Sequence, residues 1–134
     1  MPLAYVDASA LVKLVVEEPE SGSLRAALTD LELVSCELVL TEIPRAIRRS
    51  DAAGSALDAL IVRTSDVLGV VSLVALDRTL LAAAGALEAP LLRTLDAIHV
   101  TAAIQVSPVD AFVTYDERQA AAARKAGLPT LAPA

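Results

Sequence analysis

Three kinds of side chain are scarce in this chain of 134 residues, and each scarcity excludes a class of protein. The only cysteine is Cys36, which excludes an internal disulfide and a zinc site built from several cysteines. The only histidine is His99, which excludes the usual histidine cluster of a zinc hydrolase. With no tryptophan, two tyrosines and one phenylalanine, the chain has too few aromatic rings for a platform that stacks the bases of single strands without sequence preference.

Long apolar runs are missing as well. The longest strongly apolar segment covers residues 67–76 and is bounded by Asp66 and Asp77. It is far shorter than the ~18 residues of a membrane span. Asp7 and Lys13 interrupt the first apolar residues and no basic segment precedes them, so the pattern is not that of a signal peptide. We therefore expect a cytoplasmic protein that makes no use of a membrane.

Apolar residues are nevertheless abundant, at 55% of the chain. A chain of this length buries roughly two-thirds of its surface on folding, so a substantial core is expected. Helical and strand-like segments alternate, which favours a parallel α/β sheet over a helical bundle or a β-sandwich. The sequence contains no internal repeat or low-complexity linker. We predict one domain over residues 1–134, with a central parallel sheet flanked by helices.

Apolar patterns and helix breakers predict the segment boundaries. Strands are predicted over residues 3–6, 33–35, 70–74 and 110–115, with a short edge strand at 130–131. Helices are predicted from residue 8 to near Pro19, and over residues 20–28, 37–50, 53–65, 78–87, 94–106 and 117–127. Asp77 and Thr94 are the predicted N-caps of two of these helices. Pro44 lies inside the third helix and is expected to kink it just past Glu42.

Four carboxylates stand where a globular domain seldom has a charge. Asp7 and Asp116 each end an apolar strand-like run, at the place where open α/β sheets bind ligands. Glu42 and Asp96 lie within apolar helical patterns, where a charge is rarely buried unless it is paired or bound to a metal. A divalent cation would account for all four, and their hard oxygen ligands suit Mg2+ or Mn2+.

Each of these acids also has an explanation that involves no ligand. Asp7 could cap the first helix, and Asp116 could cap the last one in a capping box with Gln119 reaching back. Asp96 lies in a predicted first helical turn, where the helix dipole favours a negative charge. Glu42 is harder to explain, because neither end of its predicted helix is near and its neighbours are apolar. The four acids together favour a shared site over four unrelated structural roles.

Four stretches that contain these acids resemble a known family, the PIN-domain nucleases, and within it the VapC-like toxins of bacterial type II toxin–antitoxin pairs. The matching stretches are residues 5–14, 40–46, 95–103 and 112–117. No single stretch is specific, but the four occur in order and at the expected intervals over nearly the whole chain. Two features depart from the common pattern, namely Pro44 in the glutamate helix and the acidic net charge.

The resemblance implies a metal-dependent endoribonuclease that acts as the toxin of such a pair. The four acids would gather around one or two Mg2+ or Mn2+ ions, and the metal would activate a water to attack the scissile phosphate. Ser9 and Thr114 would steady the loops that hold Asp7 and Asp116. A cognate antitoxin protein and a homodimer are expected from the resemblance alone.

The net charge of −6 is unusual for a protein that binds nucleic acid, because phosphate binding normally leaves a basic surface. Metal-binding carboxylates make the net charge more negative, and bound cations would make the electric field around them positive. The densest basic group follows Glu42, and Arg45 and Arg49 share the helical face of that residue. We predict that Arg45 and Arg49 bind RNA phosphates beside the acids.

Two other functions remain as alternatives. A phosphotransfer protein on a similar sheet also has an aspartate after a strand, but the haloacid-dehalogenase motif needs a second aspartate where this chain has Ser9. A receiver domain needs an adjacent acidic pair and a lysine after a late strand, whereas Lys125 follows a helix. The other alternative is a catalytically inactive PIN-like binding module, which the presence of all four acids disfavours.

The single histidine and the single cysteine have simple interpretations. His99 faces the same side of its helix as Asp96, which permits a role behind the acids or against RNA, but a packing role is favoured. Cys36 is most simply a small buried apolar residue.

Overall fold

The computed structural model describes residues 2–134, which form five strands and seven helices. The strands are β1 Leu3–Val6, β2 Glu32–Cys36, β3 Val71–Val74, β4 Ala111–Val113 and β5 Thr130–Leu131. The helices are α1 Ala8–Val15, α2 Ser21–Leu28, α3 Val39–Arg48, α4 Gly54–Leu68, α5 Arg78–Gly85, α6 Thr94–Gln105 and α7 Glu117–Lys125.

The strands form one parallel sheet in the order β3-β2-β1-β4-β5. Tyr5 of the central strand β1 pairs with Val34 of β2 on one side and with Phe112 of β4 on the other. From β1 the chain first builds outward through β2 and β3, and later returns to add β4 and β5 on the opposite side. The carboxyl ends of β1 and β4 therefore flank a topological switch point, where parallel sheets bind ligands. The predicted parallel α/β sheet flanked by helices is confirmed.

Apolar clusters cover both faces of this sheet. On one face Val6 packs with Leu11 of α1 and Ile43 of α3. On the other face Tyr5 stacks on Phe112, with ring centroids 5.3 Å apart, beneath α6 and α7. Neighbouring residues of β1 thus point into different clusters, which is the period-two pattern of a strand buried on both sides.

The third helix begins later than the sequence pattern predicts. Glu37 is held in the turn after β2, because its N–H donates to the carbonyl of Val74 at 3.0 Å and its Oε1 accepts from the N–H of Leu76 at 2.9 Å. The expectation that Glu42 lies far from either helix end is wrong, since Glu42 is in the first turn of α3. The helix continues without a break through Pro44.

Of the two predicted N-caps, one is confirmed. Asp77 caps α5 by accepting from the N–H of Leu80 at 2.8 Å. The predicted Thr94 cap is wrong, because Thr94 is already the first helical residue of α6 and Arg93 occupies the N-cap position without a side-chain cap bond. The Arg93 side chain is directed to two of the acids instead.

Within residues 2–134, none of the helices combines the length and the apolar character that crossing a membrane requires.

Candidate active site

Asp7 follows β1 and caps α1 with its carboxylate. Its Oδ1 accepts from the N–H of Ala10 at 3.0 Å and from the hydroxyl of Ser9 at 2.7 Å, and its Oδ2 accepts from the hydroxyl of Thr114 at 2.5 Å. Only 3% of the residue is exposed. Burial raises the pKa of Asp7, although these hydrogen bonds oppose the shift. The negative charge of Asp7 is therefore partly shielded from water, and a nearby cation would stabilise it.

Ser9 and Thr114 join the loop after β1 to the loop after β4. The Ser9 hydroxyl accepts from the N–H of Tyr115 at 3.0 Å, and the Thr114 hydroxyl accepts from the N–H of Asp116 at 3.1 Å. Each hydroxyl thus contacts Asp7 and also shapes the segment that leads to Asp116. The ends of the two strands form one hydrogen-bonded unit.

The guanidinium of Arg93 lies between Asp96 and Asp116. Its Nε donates to Asp96 Oδ2 and its Nη2 donates to Asp116 Oδ2, both at 3.1 Å. Two carboxylates that share one cation lie close together, so the start of α6 meets the start of α7 here. Hydrogen bonding to Asp96, with the charges of both acids, raises the pKa of Arg93. The sequence patterns did not single out Arg93, although its spacing from Asp96 permits an ion pair within one helical turn.

Asp116 caps α7, and the side chain of Gln119 contacts Asp96 and Thr114, which the sequence pattern did not indicate. Asp116 Oδ1 accepts from the N–H groups of Arg118 at 2.9 Å and Gln119 at 3.1 Å, which confirms the cap. The expected return of the Gln119 side chain toward the cap is wrong. Its Nε2 lies 3.3 Å from Asp96 Oδ1, and its Oε1 lies 3.2 Å from the Thr114 hydroxyl. Gln119 is 1% exposed, so these contacts satisfy a buried amide.

A continuous series of close polar contacts therefore links three of the four acids. It runs from Asp116 through Arg93 to Asp96, and then through Gln119 and Thr114 to Asp7.

Glu42 approaches the same region from α3. Its Oε1 accepts from Nε2 of His99 at 2.7 Å, and 21% of its side chain is exposed. Glu42 lines a cavity of about 500 Å³ together with Ser9 and Leu95, which neighbour two of the other acids in sequence. Asp7, Asp96 and Asp116 are not part of the lining of this cavity, so the structure places only Glu42 of the four acids in it.

Arg45 and Arg49 line this cavity too. Both are exposed, and no carboxylate within residues 2–134 forms an ion pair with either of them. Two free guanidinium groups beside Glu42 provide positive charge for an anionic ligand.

As arranged here, the acids do not form a finished metal site. Within residues 2–134, no three side chains of histidine, cysteine, aspartate or glutamate come together so that they could hold an ion. The reason is visible in the contacts, because Arg93 separates Asp96 from Asp116, Glu42 is turned toward α6, and both oxygens of Asp7 are occupied. The donor set itself fits a hard divalent cation, and the bridging guanidinium marks a point where positive charge is stabilised.

His99 is buried, as a packing histidine would be, but it also contacts one of the acids. It is 1% exposed, and its Nδ1 lies 2.8 Å from the hydroxyl of Tyr5 and 3.6 Å from Sγ of Cys36. Burial alone would lower the pKa of His99, but hydrogen bonds with Cys36 and Glu42 outweigh it and raise the pKa to about 10. Cys36 is fully buried, which confirms its predicted place in the core.

The sequence matches the family model of the PIN domain over residues 4–125, a range that includes all four acids. The chain belongs to the PIN domain family. This PIN domain is 38% identical over 135 residues to Ribonuclease VapC46 of Mycobacterium tuberculosis (strain ATCC 25618 / H37Rv), and the match covers 99% of each chain. It is 32% identical over 137 residues to Ribonuclease VapC47 of Mycobacterium tuberculosis (strain CDC 1551 / Oshkosh), covering 98% of this chain and 97% of the relative. The resemblance drawn from the four sequence stretches is confirmed.

Two solved structures share the PIN-domain fold at low sequence identity. VapBC2 from Rickettsia felis, crystallised with a DNA fragment from its promoter, superposes with a TM-score of 0.73 at 13% identity, covering 98% of this chain and 99% of that one. Mycobacterium tuberculosis VapC20, described as a sarcin-ricin loop cleaving toxin, gives a TM-score of 0.73 at 16% identity, covering 97% and 99%. At these identities the likeness shows the fold alone.

Proposed function

We propose that this PIN domain is a metal-dependent endoribonuclease and the toxin of a type II toxin–antitoxin pair. The observation that carries the proposal is the 38% identity to the ribonuclease VapC46 over 99% of both chains. Brought together on a divalent cation, the four acids would supply chemistry that suits phosphodiester hydrolysis. The partner is a cognate antitoxin protein, as the pairing in the VapBC2 structure supports, and the toxin forms a homodimer, as its relatedness to VapC-like toxins suggests.

The proposed metal ligands are the four acids, and the metal is Mg2+ or Mn2+. When bound, such an ion activates a water and neutralises charge that builds on the scissile phosphate. Arg93 would have to give up its bonds to Asp96 and Asp116 for these acids to hold an ion, and its 67% exposed side chain would permit this without disturbing the core. The released guanidinium is then free to bind an anion.

Neighbouring side chains orient the ligands before any ion arrives. The hydroxyls of Ser9 and Thr114 hold the two oxygens of Asp7, and Gln119 donates to Asp96. Groups that fix the direction of a ligand raise metal affinity, because less rotational freedom is lost on binding. Ser9, Thr114 and Gln119 are therefore proposed as supporting residues of the site.

A cleavage assay on purified protein tests the proposed function. We expect RNA cleavage in millimolar Mg2+ or Mn2+, loss of cleavage in excess EDTA, and recovery when the metal is restored. The Asp96→Asn variant, purified in the same way, controls for contaminating ribonuclease. Cleavage that persists in EDTA, or that is equal in the two preparations, contradicts the proposal. Mn2+ binding without any cleavage would favour the inactive PIN-like binding module instead.

Arg45 and Arg49 are proposed to hold RNA phosphates beside the metal site. Replacing either with alanine is expected to weaken RNA binding and to reduce the slope of log affinity against log salt by about one per lost phosphate contact. Fluorescence anisotropy of a labelled RNA in EDTA, at several salt concentrations, measures both quantities without cleavage.

The matched control for this experiment is Arg48→Ala. Arg48 lies on the same helix, but it does not line the cavity and its Nη1 donates to the carbonyl of Pro44 at 3.3 Å. We expect little change for Arg48→Ala. If the Arg45 and Arg49 variants keep the parental affinity and salt slope, the RNA-binding face lies elsewhere.

A further inference from the structure

Arg93 contacts a different oxygen of Asp96 and of Asp116 from the one that other groups of the fold contact. Asp116 Oδ1 accepts from two N–H groups at the start of α7, and Asp96 Oδ1 lies 3.3 Å from Nε2 of Gln119. The second oxygen of each acid, Oδ2, accepts from the guanidinium of Arg93 at 3.1 Å. Within residues 2–134, the Oδ2 atoms of both acids thus share this one cation as their hydrogen-bond partner.

The guanidinium of Arg93 is held by these two carboxylates alone. Within residues 2–134, its side chain forms no other hydrogen bond or ion pair. It is 67% exposed, whereas the side chains of Asp96 and Asp116 are 17% and 28% exposed. Ion pairs of an exposed side chain are weak, because water and salt compete for both partners. The arginine can therefore leave while the two acids stay in place.

The segment that leads to Arg93 packs loosely as well. Ala89 and Leu92 line two cavities, of about 660 and 400 Å³, and Leu91 is 94% exposed. The backbone of Arg93 is anchored to α6, because its carbonyl accepts from the N–H of Ala97 at 2.9 Å. The long side chain can thus change its direction while the start of α6 stays fixed.

We propose that Arg93 is the internal counter-ion of Asp96 and Asp116, and that a divalent cation binds this pair of acids only by displacing it. This inference rests on the proposed function, in which both acids are metal ligands. Two carboxylates that lie close together repel each other unless a positive charge lies between them. The guanidinium supplies that charge in the metal-free protein, and for the same reason it competes with an incoming ion.

This competition has a measurable consequence for metal affinity. The apparent affinity of a ligand falls in proportion to the fraction of protein that is ready to bind it. An arginine that is engaged about 90% of the time therefore weakens metal binding about tenfold. Arg93 thus raises the cation concentration at which the two acids bind a metal, and removing its charge should lower that concentration.

Arg93→Gln tests the competition, because it removes the charge and keeps a long polar side chain. Isothermal titration with Mn2+ in the absence of RNA gives the dissociation constant. We expect Arg93→Gln to bind Mn2+ about three- to tenfold more tightly than the parent. In EDTA the variant should melt below the parent, because the two acids then lack their counter-ion. Added Mn2+ should raise its melting temperature more than that of the parent.

Arg118→Gln is the matched control, since it makes the same change of charge in the first turn of α7. Arg118 is exposed, and its guanidinium forms no ion pair within the described part of the chain, while its backbone N–H donates to Asp116 Oδ1. We expect a much smaller change in Mn2+ affinity, because salt screens an exposed charge that has no direct contact with the ion. An equal gain for Arg118→Gln and Arg93→Gln would show that net charge alone is responsible, which overturns the inference.

The Asp96→Asn variant separates failure of the inference from failure of the proposed function. If the parent binds Mn2+, Asp96→Asn does not, and Arg93→Gln binds no more tightly than the parent, the inference is wrong and the ligand assignment stands. If Mn2+ affinity is the same for the parent and Asp96→Asn, or if neither the parent nor Arg93→Gln binds Mn2+, both the assignment and the inference fail. Tighter binding by Arg93→Gln that disappears when Asp96→Asn is added supports both.

Discussion

Replacing Asp96 with asparagine is expected to slow RNA cleavage roughly a thousandfold, which corresponds to about 4 kcal/mol of lost transition-state stabilisation. The amide keeps the shape of the carboxylate, and its Oδ1 can still accept from Gln119. The fold should therefore be retained while the negative charge that attracts the metal is lost. Asp96 is suited to this test because its side chain is only 17% exposed and lies in the first turn of α6.

The measurement is kcat/KM on a defined RNA at saturating Mn2+, with the melting temperature as a check on folding. Asp58→Asn is the matched control, since it makes the same change of charge at an exposed position on α4. Expression without the partner should arrest growth for the parent and for Asp58→Asn but not for Asp96→Asn. An Asp96→Asn protein that cleaves as fast as the parent would remove this residue from the site.

Asp7→Asn is expected to slow RNA cleavage by a similar factor and yet to stabilise the metal-free protein. Burial raises the pKa of Asp7, so the charged form is disfavoured in the fold when no cation is near. Asparagine is as good an N-cap as aspartate. Removing the charge should add about 1 kcal/mol to the free energy of unfolding, or roughly 3 to 5 °C in Tm for a domain of this size.

The hydrogen bonds around Asp7 can accommodate the amide. Its Oδ1 still accepts from Ala10 and Ser9, and its new N–H donates to the Thr114 hydroxyl, which then turns its own hydrogen to Gln119 Oε1 at 3.2 Å. Ala10, Ser9 and Thr114 all keep a hydrogen bond with the new side chain, so most of the gain from removing the charge is retained.

Thermal melts in EDTA and in millimolar Mg2+ test this expectation. Binding linkage should raise the Tm of the parent when Mg2+ is added and raise that of Asp7→Asn less. Asp77→Asn is the control, because Asp77 is also an N-cap but is exposed and far from the acids in sequence. If Asp7→Asn melts below the parent in EDTA, the carboxylate is better understood as a structural cap than as a ligand.

The sequence by itself determined the architecture and singled out the four acids as candidates for the site. Alternating helical and strand-like patterns predicted the parallel sheet, because strands buried on both faces read as short apolar runs. Asp7 and Asp116 were recognisable because they directly follow such runs, and parallel strands bring their carboxyl ends to one edge. The four stretches around the acids also predicted the family, which the match over residues 4–125 confirms.

Only the tertiary structure decided how the acids are held. The contacts of Thr114 with Asp7 and of His99 with Glu42 join residues separated by 107 and 57 positions. Local periodicity carries no information about such pairs, because they depend on how α3, α6 and α7 pack against the sheet. The sequence patterns did not indicate Arg93 for the same reason. Its exposed guanidinium lies between Asp96 and Asp116 only because the first turns of α6 and α7 meet in the folded protein.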